Sequence, residues 1–262
     1  MSKGKAKVNY LHRAGLVGHS TAPDWGFIYD TSLVKSAKWI IGDKVELADG
    51  REFIYSKSSG VCASGQAADF AATGAIPYTL LSAAQAIRDR QISFVASTHS
   101  AIAKDELRGG YIVLWGEALK DMTRGIIGND VSAENAAITI YLDGPLTRAV
   151  DTTTPGEAYE NPYANLINTG SGNANLAKAG IPATYVGAAD TYFWVQKSGP
   201  VFIAPQSDVI TNVTGCYFRH DGSVEADIDV DTRTAGVNTT QYAGHRIIGD
   251  YDNNGPLFML QG

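Results

Sequence analysis

Only two cysteines, Cys62 and Cys216, occur in 262 residues. They stand far apart and lack the paired spacing of a structural zinc site, so both read as free thiols of a reducing compartment. No window approaches the run of about 20 apolar residues that a membrane helix needs, and no hydrophobic segment follows the basic N-terminus. Neither a spanning helix nor a secretory leader is expected. Positive charge is also scarce: 21 Lys and Arg against 27 Asp and Glu give a formal net charge of -6. That balance favours solubility and excludes the broad basic face of a nucleic-acid binder.

The residue patterns of common chemistries are missing too. There is no Gly-x-Ser-x-Gly elbow, no phosphate-cradling loop and no His-Glu-x-x-His pair. The five histidines, His12, His19, His99, His220 and His245, are scattered. No catalytic residue, metal ligand or cofactor is assigned.

What is present is β-forming. Strong helix formers are sparse, whereas Gly, Thr, Tyr, Val and Ile and turn dipeptides are frequent. At 44% hydrophobic residues, the chain can bury one large core or two modest ones. The most informative stretch, Thr-Tyr-Phe-Trp-Val-Gln-Lys-Ser-Gly-Pro over 191–200, leads an aromatic β-run into a Gly-Pro punctuated return. Its ending, Gly-Pro-Val-Phe-Ile over 199–203, is echoed by Gly-Pro-Leu-Phe-Met over 255–259, so similar strands are used twice. Trp194, between Phe193 and Val195, is expected in a core strand covered on both faces.

Asp49-Gly50 between two β-rich runs predicts a hairpin with a two-residue type I′ turn. That register puts Val45, Leu47 and Ile54 on one face, and Phe53 and Tyr55 on the other beside Glu46. Apolar bulk on both faces suits a barrel or sandwich better than an open sheet. Further strands are expected at 111–115, at 137–142 and at 213–230 folded about Asp221-Gly222. The region 67–90 is ambiguous: Leu80, Ala84 and Ile87 fit a helical face, while 88–96 alternates like a strand. Pro, Gly, Asn and Thr dominate 152–183, which predicts a long surface connection and a domain seam.

The expected architecture is therefore mainly β, an antiparallel β-barrel or β-sandwich body with two β subdomains and an extended N-terminal arm. Its divisions are the arm at 1–40, a first subdomain at 41–150, a connection at 151–183 and a second subdomain at 184–262. The arm mixes basic residues with Tyr10, Leu11, Trp25, Phe27, Ile28 and Tyr29, more apolar bulk than a solvated tail carries, so it is expected to dock.

Two acidic stretches invite a calcium reading. Glu225, Asp227, Asp229 and Asp231 alternate along one strand face, at intervals of about 6–7 Å. Calcium gathers its oxygens within about 2.3–2.6 Å of one point, so a solvated face with Ile228 and Val230 turned inward is the expectation. The run Asp-Tyr-Asp-Asn-Asn-Gly over 250–255 reads as a turn that exploits Asn and Gly.

From about residue 108 to 203 the chain resembles tailed-bacteriophage virion proteins of the capsid decoration, or cement, group. The pieces that carry the resemblance are Leu-Arg-Gly-Gly-Tyr-Ile-Val-Leu at 107–114, Ile-Thr-Ile-Tyr-Leu-Asp-Gly-Pro-Leu at 138–146, Glu-Asn-Pro-Tyr at 160–163, and Tyr-Phe-Trp-Val-Gln at 192–196 with Gly199 and Pro200. The hairpin at 45–56 and the ending at 255–261 fit the same setting. Trp-Gly-Glu at 115–117 departs from the polar, Gly-rich continuation of that group, and 67–86 matches nothing in it.

The resemblance implies a structural role without enzyme activity: binding the outer surface of the major capsid protein lattice and stabilising the head. The implied partners are the major capsid protein and a homotrimer of the chain itself, with no direct nucleic acid and no membrane. The implied location is the outer capsid surface of the virion, after synthesis in the host bacterial cytoplasm. Within that reading Lys3, Lys5, Lys7, Tyr10, Leu11 and Arg13 form the capsid-docking arm, and Tyr192, Trp194, Gln196, Gly199 and Pro200 form the scaffold signature. The alternative is a tail- or fibre-associated receptor-binding module whose aromatic residues face a host glycan.

Overall fold

The computed structural model describes residues 26–47, 49–71, 74–116, 121–168, 176–205, 215–226, 238–250 and 254–261. The arm residues Lys3, Lys5, Lys7, Tyr10, Leu11 and Arg13 lie outside them, as do Asp227, Asp229 and Asp231. The described strands are β1 (Lys44–Glu46), β2 (Glu52–Lys57), β3 (Ala68–Phe70), β4 (Gly74–Leu80), β5 (Gln91–Phe94), β6 (Tyr111–Leu114), β7 (Met122–Asn129) and β8 (Ile138–Leu142). They continue with β9 (Pro155–Tyr159), β10 (Leu166–Ile167), β11 (Lys178–Pro182), β12 (Tyr192–Phe202), β13 (Gly215–Arg219), β14 (Val224–Ala226), β15 (Asn238–Asp250) and β16 (Asn254–Leu260). Two short 3-10 helices, Gly26–Tyr29 and Pro162–Ala164, are the helical elements among the described residues. The protein is mainly β, with two curled antiparallel sheets.

The chain folds into two units, but not along the expected seam. One unit is the continuous segment 72–162, and the other joins 1–71 to 163–262. The divisions 41–150 and 184–262 are therefore replaced by an insertion. The chain leaves the outer unit at Ala71 and returns at Tyr163, where Ala71 N donates to Asn165 O and the Phe70 and Tyr163 rings meet edge to face at 5.2 Å. The expected surface connection at 151–183 contains β9, β10 and the fully buried β11. Its glycines mark close approach of strands as well as turns: a Cβ on Gly180 would stand 2.4 Å from Gln196 O across the sheet.

In the inserted unit the sheet order is β4-β9-β6-β7-β8-β5. The sheet curls until its edge strands meet, with Val95 N donating to Leu80 O and Ser82 N to Ser93 O. Inward positions alternate cleanly, as in β8, where Ile138, Ile140 and Leu142 are buried and Thr139 and Tyr141 are less so. They meet in one core that includes Ile76, Phe94, Ile112, Leu114 and Ile126. The helical face over Leu80, Ala84 and Ile87 is not formed; β4 and a turn occupy it, while the strand expected within 88–96 is β5.

In the outer unit β12 is the spine, paired with β2, β11 and β16. Phe193 and Val195 enter one apolar cluster with Leu166, Ala179 and Val186, while Trp194 enters another with Val45, Phe53 and Tyr55. The strand is thus covered on both faces, as expected. The echoed Gly-Pro segments lie side by side, with Pro200 opposite Met259, Val201 opposite Phe258 and Phe202 opposite Leu257.

The first hairpin differs by one residue from the two-residue turn. Val45 pairs with Phe53, so Val45, Phe53 and Tyr55 share the buried side and Ile54 is left half-buried. Leu47 N donates to Arg51 O across a three-residue loop in which Gly50 takes positive φ, and one slipped position exchanges the faces. The Asp221-Gly222 loop repeats this geometry, with Arg219 N donating to Ser223 O and Gly222 at φ 81°.

A further regularity runs through both units. Three isolated bridges join one connection to another: Cys62 pairs with Val186, Gln85 with Val150, and Ile102 with Ser132. Each pair exchanges two backbone hydrogen bonds of 2.9–3.0 Å. The four non-glycine residues with positive φ among those described, Arg88, Asp105, Asn135 and Asp190, all lie three or four positions after such a bridge. Ala63, Ala86, Ala103 and Ala133 directly follow their bridge residues, and Gly187 follows Val186, so small side chains sit where the loops meet.

Candidate functional site

The scaffold signature on β12 is structural in its contacts. Trp194 is 2% exposed and meets Phe27, Trp39 and Tyr55 with ring centroids 5.0–5.6 Å apart. Tyr192 stacks on Tyr55 at 5.9 Å. Gln196 is buried, and its Nε2 donates to Ser198 O and Pro200 O at 3.1 and 2.9 Å, holding the bulge where β12 departs from β2. Gly199 has φ 91°, and a Cβ there would lie 2.8 Å from Arg51 Cα.

The described part of the arm docks on its own unit. Ile28 is 1% exposed, and Phe27, Trp39 and Ile41 pack on the cluster around Trp194. The docking expected of Phe27 and Ile28 is therefore met on the chain's own outer unit. Aromatic stacking inside the chain supplies the burial.

Several buried polar groups find their partners nearby. His99 has its ring nitrogens 2.6 and 2.8 Å from Ser100 O and Ala136 O, tying the segment after β5 to the β7–β8 connection. Glu225 is buried and lies 3.9 Å from Arg219, so the solvated acidic face does not hold at its first member. Asp221 is partly buried, which works against its charge. The Ser223 hydroxyl and amide, with Arg219 and His220 nearby, outweigh this and lower its pKa. Burial pushes the Cys62 thiol up to about 12 and the Cys216 thiol up to about 11. Both cysteines are buried, and neither is joined in a disulfide.

Lys178 and Asp69 form an ion pair sealed from water, with side chains 0% and 1% exposed. Sequence reading passed over both. Lys178 follows a Gly- and Asn-rich stretch that reads as loop, and nothing local announces that its strand is buried.

The surface offers a different kind of site. On the inserted unit Tyr78 is 63% exposed and its ring lies 5.6 Å from that of Trp115. Leu80, 40% exposed, pairs with Pro155, whose carbonyl accepts the amide of Trp115. These residues make an apolar, aromatic spot on the outside of the sheet. Beside it, Gly116, Arg148, Asp151, Thr153 and Thr154 line a shallow polar cleft. In the sequence Trp115 stands out only at the end of an expected strand and in the Trp-Gly-Glu departure at 115–117, because exposure depends on which strand covers it.

Among the described residues, no group of three or more His, Cys, Asp and Glu is placed to hold a metal ion. None of the described helices is long and apolar enough to cross a membrane. The chain matches no family model, no curated protein and no solved structure.

Proposed function

We propose that the protein is a phage capsid decoration protein that binds the outer surface of the major capsid protein lattice and stabilises the head. In this reading it assembles as a homotrimer and acts mechanically, not as an enzyme. Its place is the outer capsid surface of the virion, reached after synthesis in the host bacterial cytoplasm. The observation that carries the reading is the exposed Tyr78 ring, set against the half-buried Trp115 and flanked by Leu80. Aromatic side chains held outward on a rigid β-scaffold supply contact area at small entropic cost. The sequence pieces that resemble the decoration group lie partly on the same unit, at β6 and β8.

The edges of the outer sheet fit the role as well. β10, β14 and β1 are two or three residues long, so open edges for uncontrolled strand pairing are short. Each docked copy buries apolar area at roughly 25 cal/mol per Å² before association costs are subtracted. Repetition over a lattice multiplies a modest gain.

The test is to add purified protein to expanded heads that lack it. Wild-type protein is expected to coat them, and the double variant Tyr78→Ser, Leu80→Ser is expected to lose occupancy at unchanged melting temperature. Failure of the wild-type protein to coat heads, together with binding to host cells, would overturn this reading in favour of the receptor-binding module.

A further inference from the structure

Lys178 and Asp69 face each other as register partners on the antiparallel strands β11 and β3. Lys178 Nζ contacts Asp69 Oδ1 and donates to His220 O at 2.7 Å. The backbone of Lys178 is gripped on both sides by one amide side chain: Lys178 N donates to Gln241 Oε1 at 2.7 Å, and Gln241 Nε2 donates to Lys178 O at 2.9 Å. The adjoining Ala68 and Ala179 belong to an apolar cluster with Phe193 and Val195. Amine and carboxylate are therefore fixed against each other by sheet register, in a place closed to water.

A buried ion pair bears the desolvation of two charges, and mutual attraction offsets this only in part. One chemical outcome removes both charges. We propose that Lys178 and Asp69 condense to an intramolecular isopeptide bond. The bond from Lys178 Nζ to Asp69 Cγ forms, and the bond from Cγ to one carboxylate oxygen breaks. The ammonium group gives up two of its three protons, and they leave with that oxygen as water. An ammonium and a carboxylate together hold the atoms of an amide plus one water, so the step needs no oxidant, no cofactor and no outside proton. The remaining amide N–H keeps a donor for His220 O.

Two physical features favour the step. The strands hold nucleophile and acyl carbon together, which replaces a bimolecular encounter by a positioned one. The site excludes water, so the product amide is shielded from hydrolysis once the released water escapes. The bond closes a covalent loop between positions 109 residues apart. That loop contains the whole inserted unit, so force applied to the two segments of the outer unit at this point is carried covalently, bypassing the insertion.

The experiment is intact-mass spectrometry of the denatured full chain, followed by peptide mapping. The expected result is a mass one water below that of the sequence, with a branched peptide joining the segment around Asp69 to the segment around Lys178. A chain of full sequence mass overturns the proposal, and so does a water loss mapped elsewhere. Lys178→Arg, which keeps the positive charge but offers no comparable amine nucleophile, is expected to show its full sequence mass. If that variant does not fold, the wild-type mass and map still decide. The mass is read on the isolated chain, so a negative result leaves the decoration reading untouched, and failure to coat heads says nothing about the bond.

Discussion

The inserted unit and the outer unit solve the same problem, burying the inner face of an antiparallel sheet, in different ways. The inserted unit curls one sheet around one core, and its hairpins β6–β7 and β7–β8 join neighbours in the chain. The outer unit divides its interior into three clusters with β12 as a shared wall, and its pairings β2–β12 and β3–β11 span more than a hundred residues. Closure makes each inward residue a contributor to one core. Division makes a single strand answerable for two. The outer unit should therefore be more sensitive to one substitution in its spine, and slower to form, because distant strands must meet before their contacts stabilise anything.

The largest expected effect tests the spine. Trp194→Ala removes the ring on which Phe27, Trp39 and Tyr55 converge and should cost about 3–5 kcal/mol. Phe94→Ala, in the core of the inserted unit, should cost a similar amount. Followed by hydrogen exchange mapped along the chain, the first should lower protection in 26–71 and 163–261, and the second in 74–162. A uniform loss of protection from either would show that the two units unfold as one and would break the comparison.

A second pair of variants separates conformation from surroundings within the outer unit. Gly222 and Gly50 occupy the same position of the same loop type, at φ 81° and 85°. A Cβ on Gly222 would lie 2.3 Å from Ala67 O, whereas Gly50 has nothing within 4 Å. Gly222→Ala should cost at least about 2 kcal/mol, combining left-handed strain with displacement of the Ala67 backbone, and Gly50→Ala only about 1–2 kcal/mol. Equal costs in chemical denaturation would mean that the Ala67 segment yields freely.

The thiols give a pH test confined to the outer unit. Both folded-state values are raised above the ordinary 9.0, Cys62 to about 12 and Cys216 to about 11, chiefly by burial. The folded state therefore keeps its thiol protons where the unfolded chain releases them. Their contribution is whole below pH 9 and is lost as pH rises through about 11 to 12. Denaturation midpoints of wild type should fall more steeply above pH 9 than those of Cys62→Ala, compared as slopes. Identical slopes would remove the thiol from the account.

The smallest effect concerns a surface charge. Asp49 accepts Arg51 N at 3.1 Å and pairs with Arg51 Nε at 2.7 Å, both at the exposed hairpin loop. Asp49→Asn should change stability by less than about 1 kcal/mol, and high salt should shrink the difference further.

How much could be read in advance differed between the units for a physical reason. Strands such as β8, with one face inward and one face less buried, show period-two alternation and were legible. The aromatic run of β12 was legible as a strand covered on both faces, because few other environments accept Phe193, Trp194 and Val195 in succession. β11 was not legible: its Ala, Gly and Pro mimic a loop, and only the approach of Gln196 explains Gly180. The exposed Tyr78 ring beside the half-buried Trp115 was equally hidden, since the same residues in another strand order would be core.

The sequence by itself determined the class of fold, the strand at β12, the positions of the turns at Asp49-Gly50 and Asp221-Gly222, and the absence of familiar catalytic motifs, because each rests on interactions within a few residues. Tertiary structure decided the rest. It set the hairpin register, the nesting of 72–162 inside the outer unit, the docking of Phe27 and Ile28 on Trp194, and the meeting of Lys178 with Asp69. Each of these depends on which distant strand arrives alongside, and that choice is made by the summed burial of the whole unit, not by any local pattern.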